Sequence, residues 1–156
     1  ASCWEASGAI AAAYEQTVAH TRQRRQFGQA VADFQVIQHR LAEMAVCRTE
    51  ARAACELASL RIERGDADDC AIASAAKVKV GRCADYVAKE AVQLHGAIGT
   101  TDELPIASYF RRLTVFNTRG GSPQSHARAL GQRMIASGTW RESQTLGAPQ
   151  AQQAAA

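Results

Sequence analysis

The sequence predicts an all-α fold: an antiparallel up-down bundle of about four helices with an additional C-terminal helix. Three observations carry this. Alanine is abundant and aromatics make up 6% of the 156 residues, which suits closely packed helices better than strands that want Val, Ile, Thr and Tyr. Apolar residues recur three or four apart over long stretches. The breaks between stretches are short and marked by Gly, Pro and Asp, so consecutive helices become antiparallel neighbours. There is no internal repeat and no strand pattern longer than a few residues.

The first helix carries Trp4, Ile10, Tyr14 and Val18 and ends near Arg22, Arg24 and Arg25, with "RRQFGQAVADF" breaking the pattern at Gly28. Asp33 is placed to cap a long second helix bearing Ile37, Leu41, Met44, Ala51, Cys55 and Ala58. Gly65 stops it, and Asp66, Asp68 and Asp69 supply caps and favourable charge for the third. That third helix has the most regular stripe, Ile72, Ala76, Val80, Cys83, Val87, Ala91 and Leu94, running into "GAIG". Pro105 opens a fourth helix with Ile106, Phe110, Leu113 and Phe116; Pro123 opens a fifth with Ala127, Leu130 and Met134. Residues 1–140 thus form the bundle, and 141–156, low in complexity after Trp140, read as a disordered tail. Ala1 falls inside a helical pattern without a preceding cap, as it would in a piece of a longer chain.

Composition removes several function classes. A net charge of +3 leaves any nucleic-acid surface to the Arg22 to Arg25 cluster, which lacks interleaved aromatics and a second basic face. No apolar run approaches a membrane span, and "ASCWEASGAI" is not a signal peptide. The five cysteines show no C-x-x-C spacing and sit mostly among alanines, reading as reduced thiols of a cytoplasmic chain. His20, His39, His95 and His126 are scattered singly, so spacing points to no metal site. No Ser stands in G-x-S-x-G, and Cys47 and Cys55 read as packing residues.

Three stretches remain as candidates for chemistry. "RRQFG" sets arginines and an exposed-looking Phe27 around one glycine turn, an arrangement that suits a phosphate with an aromatic cover, or a solvated basic turn with the phenylalanine tucked into the core. "VQLHGAIGTTDELP" brings Gln93 and His95 beside two glycines, either as a contact surface or as an ordinary glycine helix stop. It lacks the strand-turn-helix context of a dinucleotide fingerprint. "VFNTRGGSPQSHARAL" is a loop built for close approach, yet it holds no carboxylate.

Taken in order, "TRQRRQFGQAVADFQVIQHRLAEMAVCRTEAR", "AAKVKVGRCADYVAKEAVQLHGAIGTTDELPIASYFRR" and the following loop resemble the C-terminal helical domain of acyl-CoA dehydrogenases, over about Gly8 to Met134. The coupled spacing of R-x-x-F-G, F-Q-x-x-Q and Q-L-H-G-x-I-G makes the likeness specific. The resemblance implies an FAD-contacting and oligomerising domain of an enzyme that oxidises an acyl-CoA thioester to the 2-enoyl-CoA, inactive by itself. Implied partners are acyl-CoA, further dehydrogenase subunits in a homo- or hetero-oligomer, and an electron-transfer flavoprotein. By the same resemblance, Arg24 reaches the FAD pyrophosphate of a neighbouring subunit, Phe27 lies beside that cofactor and Gln35 bonds its phosphate-adenosine part. Gln93 and the turn at Gly96 touch FAD, and Ser122 and Gln124 fall where the last loop contacts the flavin nucleotide. Ala97 replaces the second glycine of the usual Q-x-x-G-G.

Much of the family takes its base from a loop glutamate in Tyr-Glu-Gly-Thr, and Gly120 stands at that position here. The resemblance leaves three explanations: a base on a helix segment preceding Ala1, a base supplied by a partner subunit, or a non-catalytic interaction module. "GGSPQSH" resembles the G-S-P-x-x-H loop of base-less small subunits and of dehydrogenases of steroid or dicarboxylate breakdown. Glu5 reads as a core or interface residue, and Glu103 as a charge near a helix N-terminus.

Overall fold

Five helices and one minimal hairpin are formed by residues 1–65, 68–101 and 104–138, the parts that the computed structural model describes. In chain order they are α1 (Ser2–Gln23), β1 (Arg25–Gln26), β2 (Gln29–Ala30), α2 (Gln35–Glu63), α3 (Asp69–His95), α4 (Ile106–Thr118) and α5 (Pro123–Ser137). Single 3-10 turns, Val31–Asp33 and Gly96–Thr100, follow the hairpin and α3. The cap proposed at Asp66, the helix-terminal charge of Glu103, Trp140 and the segment 141–156 lie outside the described residues.

The regular stripe decides the architecture. All seven stripe residues of α3 are buried, and so are Lys77, Gly81, Ala84, Ala88 and His95 beside them, because α3 packs against each of the other four helices. An apolar band this wide is what a central helix needs. Ile10, Met44, Cys55, Val80, Val87, Ile106 and Leu113 fill the core between small residues such as Ala6, Ala13 and Ala51, which let the helices approach closely. Thr17 and Thr21 are buried on α1 because their hydroxyls donate to the Ala13 and Thr17 carbonyls, at 2.7 and 2.9 Å.

Several expectations shift. Asp33 does not cap α2; its Oδ2 accepts from the Ala30 N–H at 3.1 Å, closing the 3-10 turn, and α2 starts at Gln35 without a side-chain cap. Asp68 caps α3 by accepting from the Ala71 N–H. Pro105 is the residue before α4 rather than inside its first turn, whereas Pro123 does begin α5 behind a Ser122 cap. Trp4 is 43% exposed, its Nε1–H donating to Ser59 Oγ, and Phe110 and Met134 are also exposed. On α5 the apolar face is largely uncovered, with Pro123 its one buried residue.

Candidate functional site

The arginine-phenylalanine turn departs from ordinary backbone geometry. Arg24 ends α1 in an extended conformation, and a two-residue loop, Phe27-Gly28, joins β1 to β2 with Gln26 opposite Gln29. Both loop residues have positive φ, 52° and 82°, as a type I′ hairpin turn requires. Glycine adopts this freely, but a bulky L-residue there costs about 1–2 kcal/mol. The Phe27 ring is also 92% exposed and meets Phe34 edge-on, with centroids 6.3 Å apart. Strained backbone and an unburied aromatic at one position mark a residue kept for contact with something else.

The glutamine-glycine turn is held from beneath. His95 is buried, its Nδ1–H donating to the Ala91 carbonyl at 2.7 Å, and its ring stacks on His20 at 4.3 Å. Burial pushes both imidazoles below the usual 6.5, His20 being lowered further by His95 and Arg24, so this stack is neutral. Of the two residues expected to project here, Gln93 is exposed and His95 instead turns inward. Gly96 stops α3 at φ 68° with its N–H donating to the Val92 and Gln93 carbonyls. Gly99 fits because a Cβ there would stand 2.8 Å from His95 Cβ; Ala97 has no positive φ, so nothing at that position demands glycine.

These two turns meet. Arg24, Gln93 and Gly96 line one cleft of about 550 Å³, whose apolar wall includes Ile37 and Ile98. Phe27 tips the hairpin leading from Arg24, and Gln35, exposed, begins α2 two residues before Ile37. Because no side chain caps α2 and its first turn holds no acid, the positive end of that helix is open beside the cleft. Arg40 also lines it, its Nε 3.2 Å from Glu90 Oε2. Motif spacing does not single out Arg40, although its place one turn after Ile37 on α2 puts the two on one face.

Ser122 and Gln124 lie elsewhere. Ser122 Oγ accepts from the Ser125 N–H at 3.1 Å, while Gln124 is exposed in the first turn of α5. Their helix abuts Gly81, where a Cβ would stand 2.4 Å from Pro123 Cγ. At about 1.5 Å per residue along α3, that point is roughly 18 Å from Gln93. Gly120 is exposed at φ 71°, and its carbonyl accepts from His126 Nε2–H at 2.9 Å. The opposite ring nitrogen of His126, 3.1 Å away, then accepts from the Ser74 hydroxyl. Gly120 and His126 border a second cleft of about 420 Å³ with Cys3, Cys55 and Lys77. Buried Lys77 donates to the Phe116 and Arg119 carbonyls at the end of α4 and lies over the Phe116 ring. Glu5, expected in a core or interface, is exposed and ion-paired with Arg112 at 3.1 Å.

Known proteins share this architecture. The family described as "Acyl-CoA dehydrogenase, C-terminal domain" matches residues 1–135. The chain is 33% identical over 120 residues to a probable acyl-CoA dehydrogenase of Mycobacterium tuberculosis, covering 77% of this chain and 31% of that protein. It is 32% identical over 122 residues to the long-chain specific mitochondrial acyl-CoA dehydrogenase of Rattus norvegicus, covering 78% and 28%. Butyryl-CoA dehydrogenase from Megasphaera elsdenii superposes with a TM-score of 0.81 at 28% identity, over 86% of this chain and 35% of that one. A variant of a steroid ACAD superposes at 0.84 and 27% identity, over 89% and 38%. The chain therefore spans about a third of the length of its curated relatives. Family match, identity and superposition agree with the motif spacing, and the chain belongs to the acyl-CoA dehydrogenase family, as its C-terminal helical domain.

Proposed function

We propose that this chain contacts FAD and joins subunits in a flavin-dependent acyl-CoA dehydrogenase that takes acyl-CoA and delivers electrons to an electron-transfer flavoprotein. The observation that carries the reading is the convergence of Arg24, Gln93 and Gly96 on one cleft beside the exposed, left-handed Phe27. The residues fit the group. Two guanidiniums and an open helix N-terminus suit a pyrophosphate, and 550 Å³ admits one part of a dinucleotide, leaving the rest to another polypeptide.

Bound FAD supplies the acceptor for the hydride that leaves the acyl β carbon. Arg24 donates to a phosphate oxygen, Arg40 adds a positive charge fixed by Glu90, and the Gln35 amide bonds the phosphate-adenosine part. Phe27 covers an apolar edge, Gln93 supplies a side-chain amide, and Gly96 keeps the approach free of a side chain. Ser122, its oxygen committed to the helix cap, retains its O–H to donate, beside Gln124. Because these two lie away from the Arg24 cleft, one chain serves two cofactor sites, a neighbour's and its own. Val46, Leu57 and Leu60 share one face of α2 and are each more than half exposed, which fits a subunit contact. The five cysteines, without C-x-x-C spacing, suit a cytoplasmic chain.

The thioester chemistry needs a base for the α proton. With Gly120 in the loop position, that base comes from another segment or subunit; the GGSPQSH loop, which resembles that of base-less small subunits, favours a base-less subunit. The test is flavin content of the complete assembly. It purifies yellow, and Arg24→Ala weakens FAD retention about 10-fold or more, the worth of a charge-assisted hydrogen bond of roughly 1.5–3 kcal/mol. A colourless assembly that FAD cannot reconstitute would sink the proposal in favour of a non-catalytic interaction module.

A further inference from the structure

A cluster on the seam between α2 and α3 plays no part in the cofactor reading. Cys47 and Glu50 stand three residues apart on α2, hence on one face, and Cys83 comes from the buried stripe of α3. Their donor atoms all lie within 4.8 Å of one another, with Cys83 Sγ 3.8 Å from Glu50 Oε2. A tetrahedral ion with sulfur at about 2.3 Å and oxygen at about 2.1 Å spaces its donors by roughly 3.5–3.8 Å, so rotamer adjustments well under one side-chain length close this set.

We propose that Cys47, Glu50 and Cys83 form a binding site for a thiophilic divalent cation, Zn²⁺ being the ion of that class with tetrahedral preference. Two sulfurs and one oxygen select such an ion over Mg²⁺ or Ca²⁺, which take oxygen donors alone. Cys47 and Glu50 are half-buried, so the fourth position faces outward and takes water. Lys79 Nζ, 2.7 Å from Glu50 Oε2, is the outer partner that orients the carboxylate, and its charge favours both thiolates. Without an ion, the Cys83 S–H donates to Glu50 Oε2 at 3.8 Å. Binding forms two metal–sulfur bonds and one metal–oxygen bond, and releases the two S–H protons to solvent with no change of oxidation state. Spacing alone hid this set, because its third member comes from another helix.

The probe is Cd²⁺ added to the full chain, reduced and stripped of metal. One equivalent gives a thiolate-to-cadmium charge-transfer band in the far ultraviolet, releases about two protons per ion, and raises the thermal midpoint. Cys47→Ser, Cys83→Ser and Glu50→Gln each weaken binding by at least about 10-fold, the loss seen for even a supporting group at a metal site. Helicity is checked for each variant, and Cys70→Ser, at an exposed cysteine elsewhere, leaves the titration unchanged. Absence of the band, or a band that survives loss of Cys47 and of Cys83 singly, overturns the assignment. Glu50→Gln, at a half-exposed position, keeps the test decisive if a cysteine variant fails to fold.

Discussion

Replacing Phe27 with asparagine separates contact from stability at the hairpin tip. The native residue holds φ at 52° and leaves its ring 92% exposed. Phe27→Asn gives the loop an Asn-Gly pair, the combination a type I′ turn favours, and relieves about 1–2 kcal/mol of left-handed strain. Against that stands the edge contact with Phe34, worth about 0.5–1.5 kcal/mol at a buried pair and less at this exposed one. The balance is a stabilisation of about 0.5–1 kcal/mol, read as a higher urea midpoint by circular dichroism with an unchanged slope. On the proposed FAD-contacting role, the same variant also lowers cofactor retention in the complete assembly, because it removes the ring assigned to cover the cofactor. The reasoning is refuted if Phe27→Asn destabilises the isolated chain by more than about 1 kcal/mol, since the ring would then be part of the chain's own packing.

Four further outcomes follow from contacts described above. Gly81→Ala, which would add up to about 1 kcal/mol of helix propensity at a free site, instead destabilises by about 1–3 kcal/mol in urea titration, because the new methyl meets the rigid Pro123 ring; a neutral or stabilised variant would show that the loop yields easily. Lys77→Met costs about 1–3 kcal/mol in the same assay by leaving the Phe116 and Arg119 carbonyls without their donor. His20 and His95 have folded pKa values lowered from 6.5, so the unfolded chain binds more protons below that value and stability falls as pH drops from about 6.5. Denaturant titrations across this range on His95→Phe show a shallower decline than on the parent. Ser122→Ala lowers stability by about 1 kcal/mol, and Ser122→Asn restores most of it, as an N-cap at α5 demands.

How far the sequence could be read depended on whether a residue's neighbours lie on its own helix. The α3 stripe was legible because burial there follows a single period. Trp4, Phe110 and Met134 misled for the complementary reason: periodicity reports a face, not whether another helix covers it. Asp33 has the right chemistry for a cap, but a 3-10 turn intervenes and takes its carboxylate. The spacing of motifs points to Arg24, Gln93 and Gly96, which line one cleft, because each sits at or just beyond a helix end, whereas Arg40 and the inward His95 depend on how α2 and α3 pack. That Ser122 and Gln124 occupy a separate patch is likewise a property of assembled helices, invisible in the order of motifs.

Gly120 sets a condition on any redesign of this loop. Its backbone lies in the mirror-image region at φ 71°, where any side-chain-bearing residue starts at a disadvantage of about 1–2 kcal/mol. A glutamate placed at this position alone would set its carboxylate on a strained stem, so introducing an acid here requires the loop to be rebuilt with it.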